Sequence, residues 1–271
     1  MIELSAGDAA IRVDPADGGR LASLRVGDAE LLGSGGPNAP GLAQIMYGSF
    51  LMAPFVGRLE GARFPFGGRE WTVPANIAPH ALHGLVFDRA WTVDGPRAIA
   101  VELDTRWPFG GTVRQEFDLT PDTLTVRATV ANEHRGMPAI VGFHPWFRRR
   151  IDGGPELAYS FEPGLRYVCD EDGIPQHLSA SPGRRPWDDS FTAVARPPAL
   201  HWPGLDLTVE SAAGHWIVCE TKPDAVCVEP LSGPVNGLNT RHHQIVEPGA
   251  PLHFAMTLRW AVRQLTDRNP S

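Results

Sequence analysis

Residues 112–132 read TVRQEFDLTPDTLTVRATVAN. Apolar and polar side chains alternate through TVRQEFDLT, break at TPD, and alternate again through TLTVRATVAN. A period of two sends successive side chains to opposite faces, so each run reads as a strand with one face buried. Outward from this stretch the same signature recurs in LDLTVES (205–211), AVCVEP (225–230) and LHFAMTLRWAV (252–262), with turn signals such as DPADGG, WPFGG and EPG between the runs. The 29 glycines and 26 prolines are spread rather than clustered, no long segment carries a period of 3.6, and the prolines leave little room for long helices. The expected architecture is mainly β: one large antiparallel β-sandwich forming a single domain over residues 1–271, with no linker-like tract and no fixed-period repeat. Turn-rich residues 148–155 and 179–186 read as surface loops. Stacked antiparallel sheets can offer a concave face lined by every second side chain, and a ligand would bind there.

Composition narrows the function. The chain has 271 residues, 42% hydrophobic and 20% charged, with a formal net charge of -7. No long run of lysine and arginine occurs, so nucleic acid and acidic membrane surfaces are poor partners. The N-terminal MIELSAGDAAIRVDP has neither a basic start nor an apolar stretch suited to export, and no segment approaches the roughly 18 apolar residues that span a bilayer; a cytoplasmic location is expected. The three cysteines, Cys169, Cys219 and Cys227, are odd in number and lack a C-x-x-C spacing, which argues for free or buried thiols rather than a disulfide frame or a zinc site. Lys222, the sole lysine, sits beside Pro223 and Asp224 in an exposed-looking turn, and Schiff-base chemistry is set aside.

Four stretches contain residues suited to chemistry. In VGFHPWF, His144 stands between aromatic residues and directly before a proline, either as a packed ring or as an acid held in a pocket, with Phe143 and Trp146 to exclude water. In AVCVEP, alternation puts Val226 and Val228 on one face and Cys227 and Glu229 on the other, so Glu229 is either a strand-end carboxylate in water or a base at the floor of a cleft. His80 and His83 form an H-x-x-H, but Pro79 and Gly84 bracket it and no third metal ligand is near in sequence. Arg58 follows a glycine in PFVGRLEG. Of the eight tryptophans Trp146 is the one expected to line a pocket, and the pair His242 and His243 reads as a solvated loop.

Taken in order, GRLEGARFPFGGREWTVPAN, ALHG, GFHPWF, DDSF, CVEP and EPGAPLHFAMTLRW resemble the aldose 1-epimerase (galactose mutarotase) family over nearly the whole chain. The resemblance implies a β-sandwich of the galactose mutarotase type and an isomerase acting on a small-molecule sugar, with no metal and no organic cofactor. It implies His144 as general acid, Glu229 as general base, His83 as a second histidine at the anomeric region, and Arg58 and Asp188 as sugar-binding groups. The chain departs from many relatives at Gly57, where they have asparagine, and at Leu85, where they have a second glycine; both departures bear on sugar preference. The adjacent Asp188 and Asp189 leave open which one meets the sugar. The implied reaction removes the proton from the anomeric hydroxyl while delivering one to the ring oxygen, with acid and base on either side of that acetal. Two alternatives stand beside it: a hexose-6-phosphate 1-epimerase, which would need convergence among Arg58, Arg63, Arg89 and Arg148 to Arg150, and a non-catalytic sugar-binding protein on the same fold. A homodimer is left open.

Overall fold

The computed structural model describes residues 1–35 and 41–263. Thr112–Leu119 and Thr123–Ala131 pair antiparallel around the TPD turn, with Leu119 opposite Leu124 and Val113 opposite Val130. Every second residue of both strands is buried. Gln115 breaks the apolar pattern on that buried face, and its amide nitrogen is satisfied by donating to the Gly19 carbonyl at 3.0 Å. The two strands belong to an eight-stranded sheet, where Leu252–Val262 and then Leu205–Ser211 continue the ladder.

A second sheet, of eleven strands, has Gly142–Arg148 near its middle. Ser49–Met52 lies on one side of that strand and Ala225–Leu231 on the other, followed by His215–Cys219 and Asp188–Thr192. The two sheets meet across one apolar layer. Phe143 of the larger sheet stacks on Phe254 of the smaller, ring centroids 5.8 Å apart, and Val226 and Val228 join Val126, Leu207 and Leu258 in the same cluster. Each such side chain taken fully out of water contributes roughly 1.5–3 kcal/mol, so this layer is what holds the sheets together. Trp202 adds a polar tie, its indole N–H donating to the Arg148 carbonyl at 2.9 Å.

The mainly β sandwich expected from the alternation is therefore what the chain forms. Among the described residues helix is limited to Gly237–Thr240 and the short 3-10 turns Gly41–Ile45 and Glu60–Ala62, and no helix is long and apolar enough to cross a membrane. Residues 149–157 and 180–187 run outside the strands, as the turn signals implied. The pleat has one consequence for function. The strands that send Phe143, Phe147, Val226 and Val228 into the layer between the sheets send His144, Trp146, Cys227 and Glu229 to the opposite face.

Candidate active site

Strand register brings the two titratable groups together. Gly142 pairs with Leu231 and Trp146 with Cys227, which sets His144 opposite Glu229. The row extends to Phe50 on one side and to Ile217 and Ser190 on the other. The next row holds Trp146, Cys227, Cys219 and Asp188. Directly opposed side chains on neighbouring strands lie about 4.5–5.5 Å apart at Cβ, close enough for polar tips to meet. They do: His144 Nε2 is 3.3 Å from Glu229 Oε1, with the two residues only 4% and 2% exposed. The other ring nitrogen, Nδ1, is 3.2 Å from Cys227 Sγ. Phe50 stacks on the imidazole with centroids 4.4 Å apart.

A loop supplies the remaining wall. Arg58–Leu59 pairs with Ala81–Leu82, Arg58 opposite Leu82, and the His83 N–H donates to the Gly57 carbonyl at 2.9 Å. The turn requires left-handed backbone at Gly57 (φ 55), His83 (φ 60) and Gly84 (φ 79). A Cβ on Gly84 would fall 2.2 Å from the Ala53 carbonyl oxygen, so glycine is obligatory there. His83 has no such freedom and holds a conformation costing on the order of 1–3 kcal/mol, with its ring edge-on to His144 at 4.9 Å. Together these elements enclose a cavity of about 560 Å³ that Arg58, His83, His144, Trp146, Asp188 and Glu229 all line.

Two of the cavity's polar atoms, His83 Nδ1 and Glu229 Oε2, are buried without a hydrogen-bond partner. An unmet buried acceptor or donor costs about 1–3 kcal/mol, and a polar ligand entering the cavity can repay it. The aldose 1-epimerase family model matches residues 3–194, a span that includes Arg58, His83, His144 and Asp188. The chain belongs to the aldose 1-epimerase family. It is 29% identical to the uncharacterized protein YphB of Escherichia coli over 194 residues, 66% of this chain and 63% of that one, so the alignment spans less than two thirds of the relative. Among solved structures, a galactose mutarotase-like protein of Clostridium acetobutylicum superposes with a TM-score of 0.85 at 15% identity, covering 96% of this chain and 95% of the other. The galactose 1-epimerase of Lactobacillus acidophilus superposes with a TM-score of 0.76 at 12% identity, covering 96% and 93%. These establish a shared fold of the galactose mutarotase type.

Within this aldose 1-epimerase fold the environment of the pair favours neutral groups. Burial pushes Glu229 well above the usual carboxylate range, the nearby charge of Asp188 pushes it further, and the neighbouring Cys227 thiol pulls weakly the other way. Burial likewise drives His144 well below the ordinary imidazole value, with His83 adding to the effect. His83 is lowered to about 3 by burial and by the Arg58 charge. Desolvation of the His144 ring thus outweighs the attraction that neighbouring carboxylates would give its charged form. A carboxylic acid beside a neutral imidazole carries the same number of protons as a carboxylate beside an imidazolium, and one proton moving across the contact interconverts them.

The remaining expectations divide. Asp188 and Asp189 both line the cavity, but Asp189 is tied to Arg166 at 2.9 Å, which leaves Asp188, in the row of Trp146 and Cys227, as the more available of the two. Trp146 lines the cavity and is fixed by its indole N–H donating to the Ile45 carbonyl at 2.6 Å. Phe143 does not wall the imidazole; it points between the sheets, and Phe50 takes that position. His80 and His83 do not converge: His80 Nδ1 accepts from the Gly61 N–H at 3.1 Å while His83 turns into the cavity. The group best placed to offer metal ligands is instead His144, Cys227 and Glu229, though Cys227 and Glu229 meet different ring nitrogens. Lys222 is in a turn, as expected, but its amine is largely covered and donates to the Met46 carbonyl at 2.9 Å over the Trp146 ring. Phe50 against the imidazole, Val235 on the cavity wall and the contact of Cys227 with His144 were not foreseen; only the shared strand face of Cys227 and Glu229 gave a hint.

Proposed function

We propose that this protein is a cofactor-independent aldose 1-epimerase that interconverts the α and β anomers of a hexose. The observation that carries the reading is the contact between His144 Nε2 and Glu229 Oε1 at 3.3 Å on the wall of a sugar-sized cavity. The anomeric hydroxyl and the ring oxygen are bonded to one carbon, so a base for the first and an acid for the second must be close neighbours. A pair of carboxyl groups working on a glycosidic bond stands farther apart, at about 5 Å or more.

The steps follow from these positions. Glu229, ionised, takes the proton of the anomeric hydroxyl as His144, protonated, gives its Nε2 proton to the ring oxygen; the bond from the anomeric carbon to that oxygen breaks and the open-chain aldehyde forms. Rotation about the adjacent carbon–carbon bond presents the other carbonyl face. The same two groups then run the transfers backward. The unpartnered His83 Nδ1 and Glu229 Oε2 offer hydrogen-bonding sites for sugar hydroxyls, with Arg58 and Asp188 at the cavity wall and Trp146 as an apolar surface. The protein's part in these steps is proton transfer, which each well-placed acid or base speeds about 10²- to 10⁴-fold.

The arginine pattern supports a free hexose over a phosphorylated one. Of the arginines considered for a phosphate, only Arg58 lines this cavity. Arg148, Arg149 and Arg150 line a different one with Gly33 and Asp224, Arg63 faces Glu70, and Arg89 faces Asp104. A non-catalytic binder would gain nothing from burying an opposed carboxyl and imidazole. Polarimetry of freshly dissolved α-glucose, α-galactose and a hexose 6-phosphate tests the reading. Faster relaxation of a free hexose is expected, and relaxation unchanged by the protein for every sugar would remove it.

A further inference from the structure

The contact behind the imidazole extends this acid–base reading and rests on it. Cys227 is fully buried, with its sulfur 3.2 Å from His144 Nδ1 and within 4.8 Å of the Glu229 carboxylate. Burial and the neighbouring Glu229 push the thiol well above its ordinary value, so the sulfur keeps its proton at any working pH. A thiol has one weak donor and a lone-pair acceptor. With burial favouring a protonated Glu229, its O–H donates to His144 Nε2 across the 3.3 Å contact, so the ring proton sits on Nδ1 and faces the sulfur lone pair.

This arrangement matters for the neutral ring. After His144 has given its Nε2 proton to the sugar's ring oxygen, the remaining ring proton must stay on Nδ1. If it sat on Nε2 instead, the nitrogen facing the substrate would have no lone pair to take the proton back when the ring closes. An acceptor at Nδ1 selects the productive tautomer, as the partner of the second ring nitrogen does for working histidines generally.

We propose that Cys227 is a positioning residue: its sulfur accepts the Nδ1–H of His144 from the side of the ring away from Glu229, holding the acid in the tautomer that exchanges protons through Nε2. The bonds concerned are hydrogen bonds throughout, and Cys227 neither gains nor loses a proton over the cycle.

Ring nitrogen NMR of histidine-labelled protein, with the His144 signals assigned from His144→Asn, reads the tautomer directly. Neutral His144 is expected as the Nδ1–H form in the wild type, retained in Cys227→Ser and shifted toward Nε2–H in Cys227→Ala. In the mutarotation assay Cys227→Ala should lower kcat about tenfold, the value of one hydrogen bond, with KM within about twofold, while Cys227→Ser stays within about threefold of wild type. Should Cys227→Ala fail to fold, Cys227→Val fills the space without donor or acceptor and takes its place. A wild-type ring in the Nε2–H form, or an unchanged tautomer and kcat in the alanine or valine variant, overturns the proposal. If the wild type accelerates no aldose yet the tautomer responds to Cys227 as described, the functional reading fails while the hold of Cys227 on the ring stands.

Discussion

Glu229 carries the most consequence for a single side chain. Replacing it by glutamine keeps shape and one hydrogen-bonding oxygen but cannot take up a proton, so Glu229→Gln should lower kcat at least about a hundredfold with the unfolding midpoint nearly unchanged; full activity in that variant would remove it as the base. His83 makes a prediction about stability. Its folded value is lowered to about 3 from an unfolded value near 6.5, so between these limits the unfolded chain takes up a proton that the folded chain refuses. The stability contribution present above about pH 6.5 is therefore lost as pH falls toward 3. Asparagine tolerates the left-handed backbone at this position. In urea unfolding at pH 7 and 4.5, His83→Asn should reduce the loss between the two pH values by on the order of 2 kcal/mol; an equal loss in both proteins would show that this ring is not kept neutral. Alternation alone placed Glu229 with Cys227 and away from the valines. The same rule puts Phe143 and His144 on opposite faces, so the sequence held the means to keep Phe143 out of the site. The Cys227–His144 contact was not legible, because it depends on which residues of two distant strands come to lie side by side.

The elements that build the site are short pieces held at awkward angles, and Gly57 shows why. Its φ is 55, and a Cβ would fall 2.6 Å from Val235 Cγ2. Gly57→Ala meets both a left-handed penalty of about 1–2 kcal/mol and a steric contact that Val235→Ala would relieve. Thermal unfolding of the four proteins in a double-mutant cycle should show Val235→Ala costing less in the Gly57→Ala background than in the wild type; strict additivity would mean that the two do not press on each other. Such turns are hard to read in sequence. GRLEG and PHALHG each look like loops, and what gives them purpose is the ladder of Arg58 with Leu82. The strands themselves were legible, since a period of two survives in residues 112–132 whatever they pack against. Their partners were not: Gly142–Arg148 pairs with Ala225–Leu231 across about eighty residues of intervening chain, and period-two alternation is the same for every partner.

At the scale of the whole molecule, one sheet does two jobs. One face closes the core with the smaller sheet, and the other forms the cavity. The two faces should respond differently to truncation. Phe143→Ala, which removes the stack on Phe254, should cost roughly 3–5 kcal/mol of stability while each folded molecule keeps its kcat. A lowered kcat with stability intact would place Phe143 in the site after all. The proposed reaction depends on the carboxyl and imidazole acting as one proton-sharing pair, and the pH dependence of kcat/KM for mutarotation, compared between wild type and His144→Asn, tests this most directly. In the wild type the active form holds one proton on the pair, so the profile should be a bell, falling at low pH as a second proton is added and at high pH as the first is lost. In His144→Asn the rate should drop at least about a hundredfold and the high-pH limb should vanish. The low-pH limb should move upward, because burial and Asp188 raise Glu229 with no imidazole left to share its proton. An unaltered bell at near-normal rate in that variant would contradict the account, leaving His144 as a packed ring on the cavity wall.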